Sequence, residues 1–461
     1  MTKILCGLET EYGFYLEERG AENQIEDATA LVRNYPGERR VLWDYRFEHP
    51  RRDMRGYTVG QLSIDPEDAK FDAGRVHASD VEVRSDRVLQ NGARLYNDHG
   101  HPEYATPECW SLEQLVRQDQ AGQAAVLRAA RTISGAKLYK NNTDFHGASY
   151  GSHESYLVPR SLPFDRLVKA VLPILVARQL VCGAGKVGSE SGAKCDFQLS
   201  QRADFITEIM SVDTLYRRPI FNTRDEPHAD SAQWRRLHVI SGDANMNPTS
   251  TYLKAGLVKL ALTLALDNRT LDWPMSDPVR AFREISRNPN VSIHLEGSTW
   301  TTADHIIRSI CEAQFEDNEL NHVAQSCLTL LDCRQTDFDL FARSVDWAAK
   351  RQMLDQVRGD PASLVAYDLA YHDVDPQEGL YFAVDPDGEL PDESLLDQPP
   401  VERTRAFVRA LALNYRELTA VSWGSLRFGE DTIPLDPGRN YLSVQDGMSF
   451  AEFKDALRRD S

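Results

Sequence analysis

The chain has 461 residues, a formal net charge of −18 and seven scattered cysteines. That length can bury a large core and favours two or more domains, the negative charge argues against a nucleic-acid surface, and no apolar run approaches the roughly 20 residues that span a bilayer. With no basic-then-apolar leader and no CxxC pairing, the expectation is a soluble, cytoplasmic protein with reduced thiols. Cys6 reads as a core residue; Cys182, beside Gly183, could be reactive, but a buried small side chain is the commoner outcome.

Residues 3–13 read as a strand that starts hydrophobic and then places Glu9 and Glu11 on one side. Two carboxylates so placed repel unless a cation lies between them, and hard oxygen ligands suit Mg²⁺ or Mn²⁺ bridging phosphate oxygens. The structural alternative pairs Glu11 with an arginine and leaves only Glu9 for a metal. Residues 57–90 carry Asp65, Glu67, Asp68, Asp72, Asp80, Glu82 and Asp86 among few large apolar side chains. They read as a mobile acidic loop, placed like a lid. Residues 91–98 form a second strand-like stretch, with Arg94, Tyr96 and Asp98 on one face and Leu95 and Asn97 on the other. A cation, a phenol and a carboxylate do not build a core. They point to a surface that handles an anion and a metal, with Asp98 as the candidate reactive group.

Ser111 with Gln114 fits a capping box ahead of an apolar-striped helix. Residues 136–140 read as a strand, residues 161–183 as a helix, and residues 249–266 as a helix with an inward leucine stripe. Residues 301–356 read as predominantly helical. Breakers at 386–388 and 397–400 place a domain boundary near residue 395. This gives a catalytic domain, 1–395, and a small C-terminal domain, 396–461, with a helix from about Glu402 and one strand-like stretch at 420–428.

Three polar clusters remain. Residues 147–155, GASYGSHES, combine small residues with His153, a possible metal ligand, although a hydrogen-bonded histidine in a glycine turn is commoner. Arg202 and Arg224 each sit among hydrogen-bonding groups, and either one could equally be a structural salt bridge. Arg235 and Arg236 point opposite ways on a strand, so only one can meet a ligand beside His238. Carboxylates, two histidines and several arginines together suit a nucleotide-dependent acyl-phosphate or amide-bond enzyme.

The segments GLETEYG (7–13), NGARLY (91–96), HPEY (101–104), KNN (140–142), YGSH (150–153), LSQR (199–202), NTRDEPH (222–228) and RRLH (235–238) resemble, in this order, the family of Pup ligases and Pup deamidases (depupylases), relatives of glutamine synthetase. The resemblance implies an α+β fold: a glutamine-synthetase-like curved antiparallel sheet backed by helices, with a small C-terminal domain. Residues 43–56 and the loop after them resemble the depupylase insertion, whereas 7–11 and 368–373 lean towards the ligases. The depupylase branch is the expectation, with attachment of the modifier to lysines as the alternative. By the same resemblance, Glu9, Tyr96 and Glu103 match metal positions, with His153 and His238 as additions. Arg94, Thr106 and Trp423 match nucleotide positions, and Arg202, Arg224 or Arg236 would hold phosphate or developing charge. Asp98 matches the catalytic aspartate. The family's His-Glu-Asn stands here as His153-Glu154-Ser155. The implied cofactors are ATP (or ADP plus phosphate) and Mg²⁺. The implied partner is a Pup-type small protein modifier with its conjugates, with a functional link to a bacterial proteasome and a monomeric enzyme.

Overall fold

Alternating residues of eight strands build one sheet, whose two faces have opposite chemistry. The computed structural model describes residues 3–19, 23–37, 41–62, 85–269, 271–357, 360–384 and 390–460. Numbered along the chain, the strands of the main sheet are β1 (Cys6–Glu11), β2 (Arg87–Val88), β3 (Arg94–Asp98), β4 (His101–Ala105), β5 (Ser152–Pro159), β6 (Ile206–Ser211), β7 (Arg218–Asn222) and β8 (Trp234–Gly242). Their order is β6–β7–β8–β5–β1–β4–β3–β2. Pairing is antiparallel throughout except at β6–β7, the outermost pair, which is parallel. The fold is thus the expected α+β type, an antiparallel sheet backed by helices.

One face of the sheet is apolar. Cys6, Leu8, Tyr156, Val158, Leu237 and Val239 pack into the largest core with α-helices Phe164–Ala177 and Pro248–Leu266. Helix Pro248–Leu266 is buried on nearly all sides rather than along one leucine stripe, as befits a helix apolar all round. Its buried Lys254 reaches the sheet, donating to the Asp243 carbonyl (2.7 Å) and Ser152 Oγ (3.1 Å). The helix starts with Pro248 in its first turn and Asn247 accepting from the Thr249 N–H at 2.9 Å. Helices at Ala303–Cys311, Asn318–Thr336, Phe338–Ala342 and Asp346–Gln356 fill the stretch read as helical. Among the described residues no helix is long and apolar enough to cross a membrane. Cys6 and Cys182 are both buried, and burial pushes the Cys182 thiol up to about 12.

Three local readings change. The helix expected at 161–183 begins at Phe164, with Pro163 preceding its first turn, and breaks at Arg178 before a short piece, Gln179–Cys182. Arg178 is fixed by hydrogen bonds of 2.7 and 2.5 Å to Glu154 on β5. The single stretch at 420–428 is a hairpin of two strands, Leu418–Val421 and Ser425–Phe428, turning at Trp423-Gly424. Gly424 is needed there, because a Cβ would lie 2.6 Å from the His228 carbonyl oxygen. The C-terminal helix starts at Arg405 rather than near Glu402, whose carboxylate instead accepts the Trp110 and Ser111 N–H groups (2.5 and 2.9 Å).

Strand Leu42–Trp43 joins the C-terminal sheet, parallel to Leu418–Val421, and Val41 and Trp43 enter its core. Leu395 and Leu396 pack instead in a second core with helices Gln24–Asn34 and Leu112–Ala130. Most of the expected acidic loop, residues 63–84, lies outside the described residues. At its far end Asp86 is buried and ion-paired with Arg94 at 2.6 Å, so it belongs to the packed structure.

Ser111 caps helix Leu112–Ala130 as expected, accepting from the Gln114 N–H at 3.2 Å. Within that helix, Gly122 lies against the ring of Tyr104 on β4, where a Cβ would come within 2.3 Å of the ring. Gly122→Ala should therefore destabilise the protein by about 1–3 kcal/mol through overpacking. That outweighs the roughly 1 kcal/mol that alanine gains over glycine in a helix. Urea unfolding of the two proteins measures the difference; a more stable alanine variant would show the contact to be loose.

Candidate active site

The other face of the sheet carries the carboxylates. Antiparallel register sets Tyr96 on β3 opposite Glu103 on β4, and Glu103 opposite Glu11 on β1. One step along β1, Glu9 stands opposite His153 on β5. Directly paired residues share a face, so Tyr96, Glu103, Glu11, Glu9 and His153 form a row across four strands. Asp98 continues the Arg94–Tyr96 face and pairs with His101. All these side chains line one cavity of about 380 Å³, together with Arg202, Arg218, Arg224, Arg236, His238 and Trp423.

Two donor groups emerge from the row. Glu9, His153 and His238 have ligand atoms within 4.8 Å of one another, as do Glu11, Asp98 and Glu103. In the first, Glu9 Oε2 lies 3.6 Å from His153 Nδ1 and 3.7 Å from His238 Nε2, and Glu9 Oε1 lies 3.7 Å from Arg236. Among the described residues, neither nitrogen of the buried His238 ring has a hydrogen-bond partner. Burial, with the nearby Arg236 charge, drives the His238 ring down to about 3, so it is neutral and offers a lone pair. Burial opposes ionisation of Glu9, yet contact with His153 and His238 and the Arg236 charge hold it well below the usual carboxylate range. An ionised carboxylate and a neutral, unpartnered imidazole are the state a divalent cation requires.

The second group behaves oppositely. Burial first, then the charges of Asp98, Glu11 and Glu9, push Glu103 well above the usual range, while its Oε1 accepts the Tyr96 phenol proton. Glu11 accepts the Gly151 N–H. Gly151 has no room for a side chain, since a Cβ would fall 2.1 Å from the His153 ring. Three carboxylates this close need a cation between them or a retained proton. The oxygen-rich set fits Mg²⁺.

The cations line the same cavity. Arg202 is fully buried, donates to the Tyr150 carbonyl and leaves its Nε without a partner among the described residues; burial and Arg218 lower it to about 10. Arg224 donates to the Val212 carbonyl (3.0 Å) and Thr214 Oγ1 (3.1 Å). Of the adjacent pair, Arg236 faces the cavity, while Arg235 turns away to donate to the Leu162 carbonyl at 2.9 Å. Arg94 lines the cavity too, but its charge is met by Asp86, and its guanidinium lies 4.1 Å from the Trp43 ring centroid and 3.9 Å from that of Tyr96. Thr106 lines an adjoining slot that also borders Glu9 and Arg236, and Trp423 borders both this slot and the carboxylate cavity. Trp423 packs edge-on against Trp43 (4.9 Å), with Arg409 over its face (5.0 Å).

A family model described as Pup-ligase protein matches residues 4–427. The chain belongs to that family. The depupylase of Acidothermus cellulolyticus is 37% identical over a region covering 94% of this chain and 93% of that protein. The Pup–protein ligase of Renibacterium salmoninarum is also 37% identical, but the match covers 77% of this chain and 87% of the ligase. Among solved structures, the Pup ligase PafA in complex with ADP superposes with a TM-score of 0.71 at 30% identity, covering 87% of this chain and 95% of that one.

The set of expected site residues left out His101 and Arg218, while the alternation rule grouped Glu11 with Glu9 and left it open between a metal and an arginine partner. His101, stacked on Tyr150 at 4.3 Å, and Arg218, donating to the Ser149 carbonyl at 2.9 Å, depend on chain crossings that no local pattern encodes.

Titration with Mg²⁺ tests the donor set. Because the Glu103 pKa is raised, its carboxyl holds a proton below that raised value, and a cation must displace it. Binding should therefore release protons and tighten as pH rises, until Glu103 is ionised without help. Calorimetry in two buffers of different ionisation enthalpy reads the release, which Glu103→Gln should abolish. Binding that is independent of pH and buffer would remove Glu103 from the metal site.

Proposed function

We propose that this chain is an amide hydrolase of the depupylase type. It cleaves the isopeptide bond between a Pup-type modifier and a substrate lysine, or deamidates the modifier's C-terminal glutamine. The observation that carries the reading is the placement of Asp98. Its carboxylate is partly exposed, belongs to the acidic donor group with Glu11 and Glu103, and lines the same cavity as Glu9, His153, His238 and several arginines. The likeness to a depupylase along nearly the whole of both chains supports hydrolysis over ligation.

In this reading Glu9, His153 and His238, with Glu103 and Tyr96, hold Mg²⁺ and through it the phosphates of ATP, or of ADP plus phosphate. Mg²⁺, when bound with the nucleotide, would supply the positive charge that polarises the amide carbonyl. Arg202, Arg224 and Arg236 face the charge that develops on phosphate or carbonyl oxygen. Asp98 attacks the carbonyl carbon or takes the proton of the attacking water; either way one water is consumed, and the lysine amine and the modifier's carboxylate leave. Thr106, Trp423 and Arg94 bound the nucleotide, and the small C-terminal domain, 396–461, covers it. A monomer acting in the cytoplasm, upstream of or beside a proteasome, completes the proposal.

Asp98→Asn should cut cleavage of a Pup conjugate by about 10²–10⁴-fold, while nucleotide affinity stays within a few-fold. Near-normal turnover in that variant would remove Asp98 from the chemistry.

The direction of reaction has its own test. Amide hydrolysis is downhill in water, so nucleotide should assemble the site without being consumed once per bond cleaved. Phosphate release is measured alongside conjugate cleavage. ADP formed in step with a new lysine–modifier bond would make the chain a ligase.

A further inference from the structure

We infer that the His228 imidazole donates a hydrogen bond to the inner phosphates of the bound nucleotide. The inference rests on the nucleotide reading above and adds a binding residue to it.

His228 lies on the connection between β7 and β8. Three spaces meet at it: the carboxylate cavity, the adjoining slot, and a further cavity of about 470 Å³ that borders the C-terminal sheet. Among the described residues, only His228 and Trp423 line all three. A nucleotide whose phosphates meet the Glu9 donor group and whose base meets Trp423 therefore runs past the imidazole, whichever space takes the base. Between those two ends lie the inner phosphates and the sugar. Arg236 and Arg405 are close enough for their charges to act on the ring, and cationic surroundings draw a phosphate rather than a sugar hydroxyl.

The backbone at His228 is held in a costly conformation. Its φ of +48° lies in the left-handed region, which residues with a Cβ seldom adopt. Two contacts from the C-terminal domain fix it there. The His228 carbonyl accepts from Arg405 Nη1 at 2.6 Å, and Gly424 packs against the same carbonyl with no room for a Cβ. Such strain persists where the surroundings over-determine it, and it gathers at ligand clamps. What the strain positions is the ring. The side chain is half-buried and borders all three spaces, and its imidazole makes no hydrogen bond to a described residue. Burial, then the Arg236 and Arg405 charges, push it well below its usual range, so the ring is uncharged and donates from one nitrogen.

The test measures the affinities of the full chain, with Mg²⁺, for ATP, ADP, 2′-deoxy-ADP and 3′-deoxy-ADP. His228→Gly and His228→Ala both remove the ring, but only glycine takes the left-handed backbone without steric cost. Both should weaken all four nucleotides by about 10–100-fold, the worth of a hydrogen bond to a charged group, and the glycine variant should melt no lower than the alanine variant. His228→Asn offers an N–H near the place of Nδ1 and His228→Gln one near Nε2, so one of the two should bind within a few-fold of the parent. Parent-like affinity in the glycine variant would make His228 a backbone support alone and overturn the inference. Failure of both amides to restore binding overturns it too. So does a loss confined to ATP, which puts the contact at the terminal phosphate, or a loss absent with a deoxy nucleotide, which puts it at the sugar. Each of these results leaves the nucleotide reading standing. Failure of the parent to bind any of the four overturns both.

Discussion

Mutual repulsion among four carboxylates on one sheet face is the constraint on which the rest of the site depends. Glu9, Glu11, Asp98 and Glu103 come from three neighbouring strands and are brought together by backbone register. Without compensation their charges would drive the strands apart or favour held protons, and Glu103 is shifted in the second direction. The compensation differs along the row. Contacts with His153 and His238 and the Arg236 charge hold Glu9 below the usual carboxylate range, whereas burial and its acidic neighbours push Glu103, which accepts from the Tyr96 phenol, above it. A cation joining the two groups resolves both, which ties the electrostatics of the fold to the chemistry proposed for it.

Arginines form the next layer outward and join the site to the C-terminal sheet. Arg94 is clamped by Asp86 and Tyr45 and lies between Trp43 and Tyr96. Trp43 in turn packs on Trp423. Glu108, just beyond β4, receives both Arg405 (3.0 Å) and Arg409 (2.6 Å) from the C-terminal helix. Burial opposes the Glu108 charge, but those two guanidiniums hold it below the usual carboxylate range. Ion pairs buried this deeply are destabilising to break, because the partner left behind is a buried, uncompensated charge. The slot beneath Trp423 is thereby held at a fixed distance from the carboxylate row.

Much of this was legible in the sequence. The period-2 rule placed Arg94, Tyr96 and Asp98 on one face, and separated Arg235 from Arg236. Capping chemistry located the start of helix Leu112–Ala130, and the apolar run at 249–266 marked a helix. The misreadings have local causes. A hairpin turn hidden in 420–428 looked continuous because its turn residues lie between two β-prone runs. Asp86 looked like one more acid in a polar stretch, because nothing local shows that Arg94 will bury it.

The sequence by itself determined which residues share a face, where the helix capped by Ser111 begins, and which side chains have the chemistry for metal, phosphate and catalysis. These are properties of neighbours along the chain, fixed by backbone geometry and residue type. Only the tertiary structure decided which faces meet: Glu11 beside Asp98 and Glu103, His238 beside Glu9, and Trp43 in the C-terminal core. Each of those depends on strand order and register. They are set by the burial of the opposite, apolar face against the helices, and no local pattern records that burial.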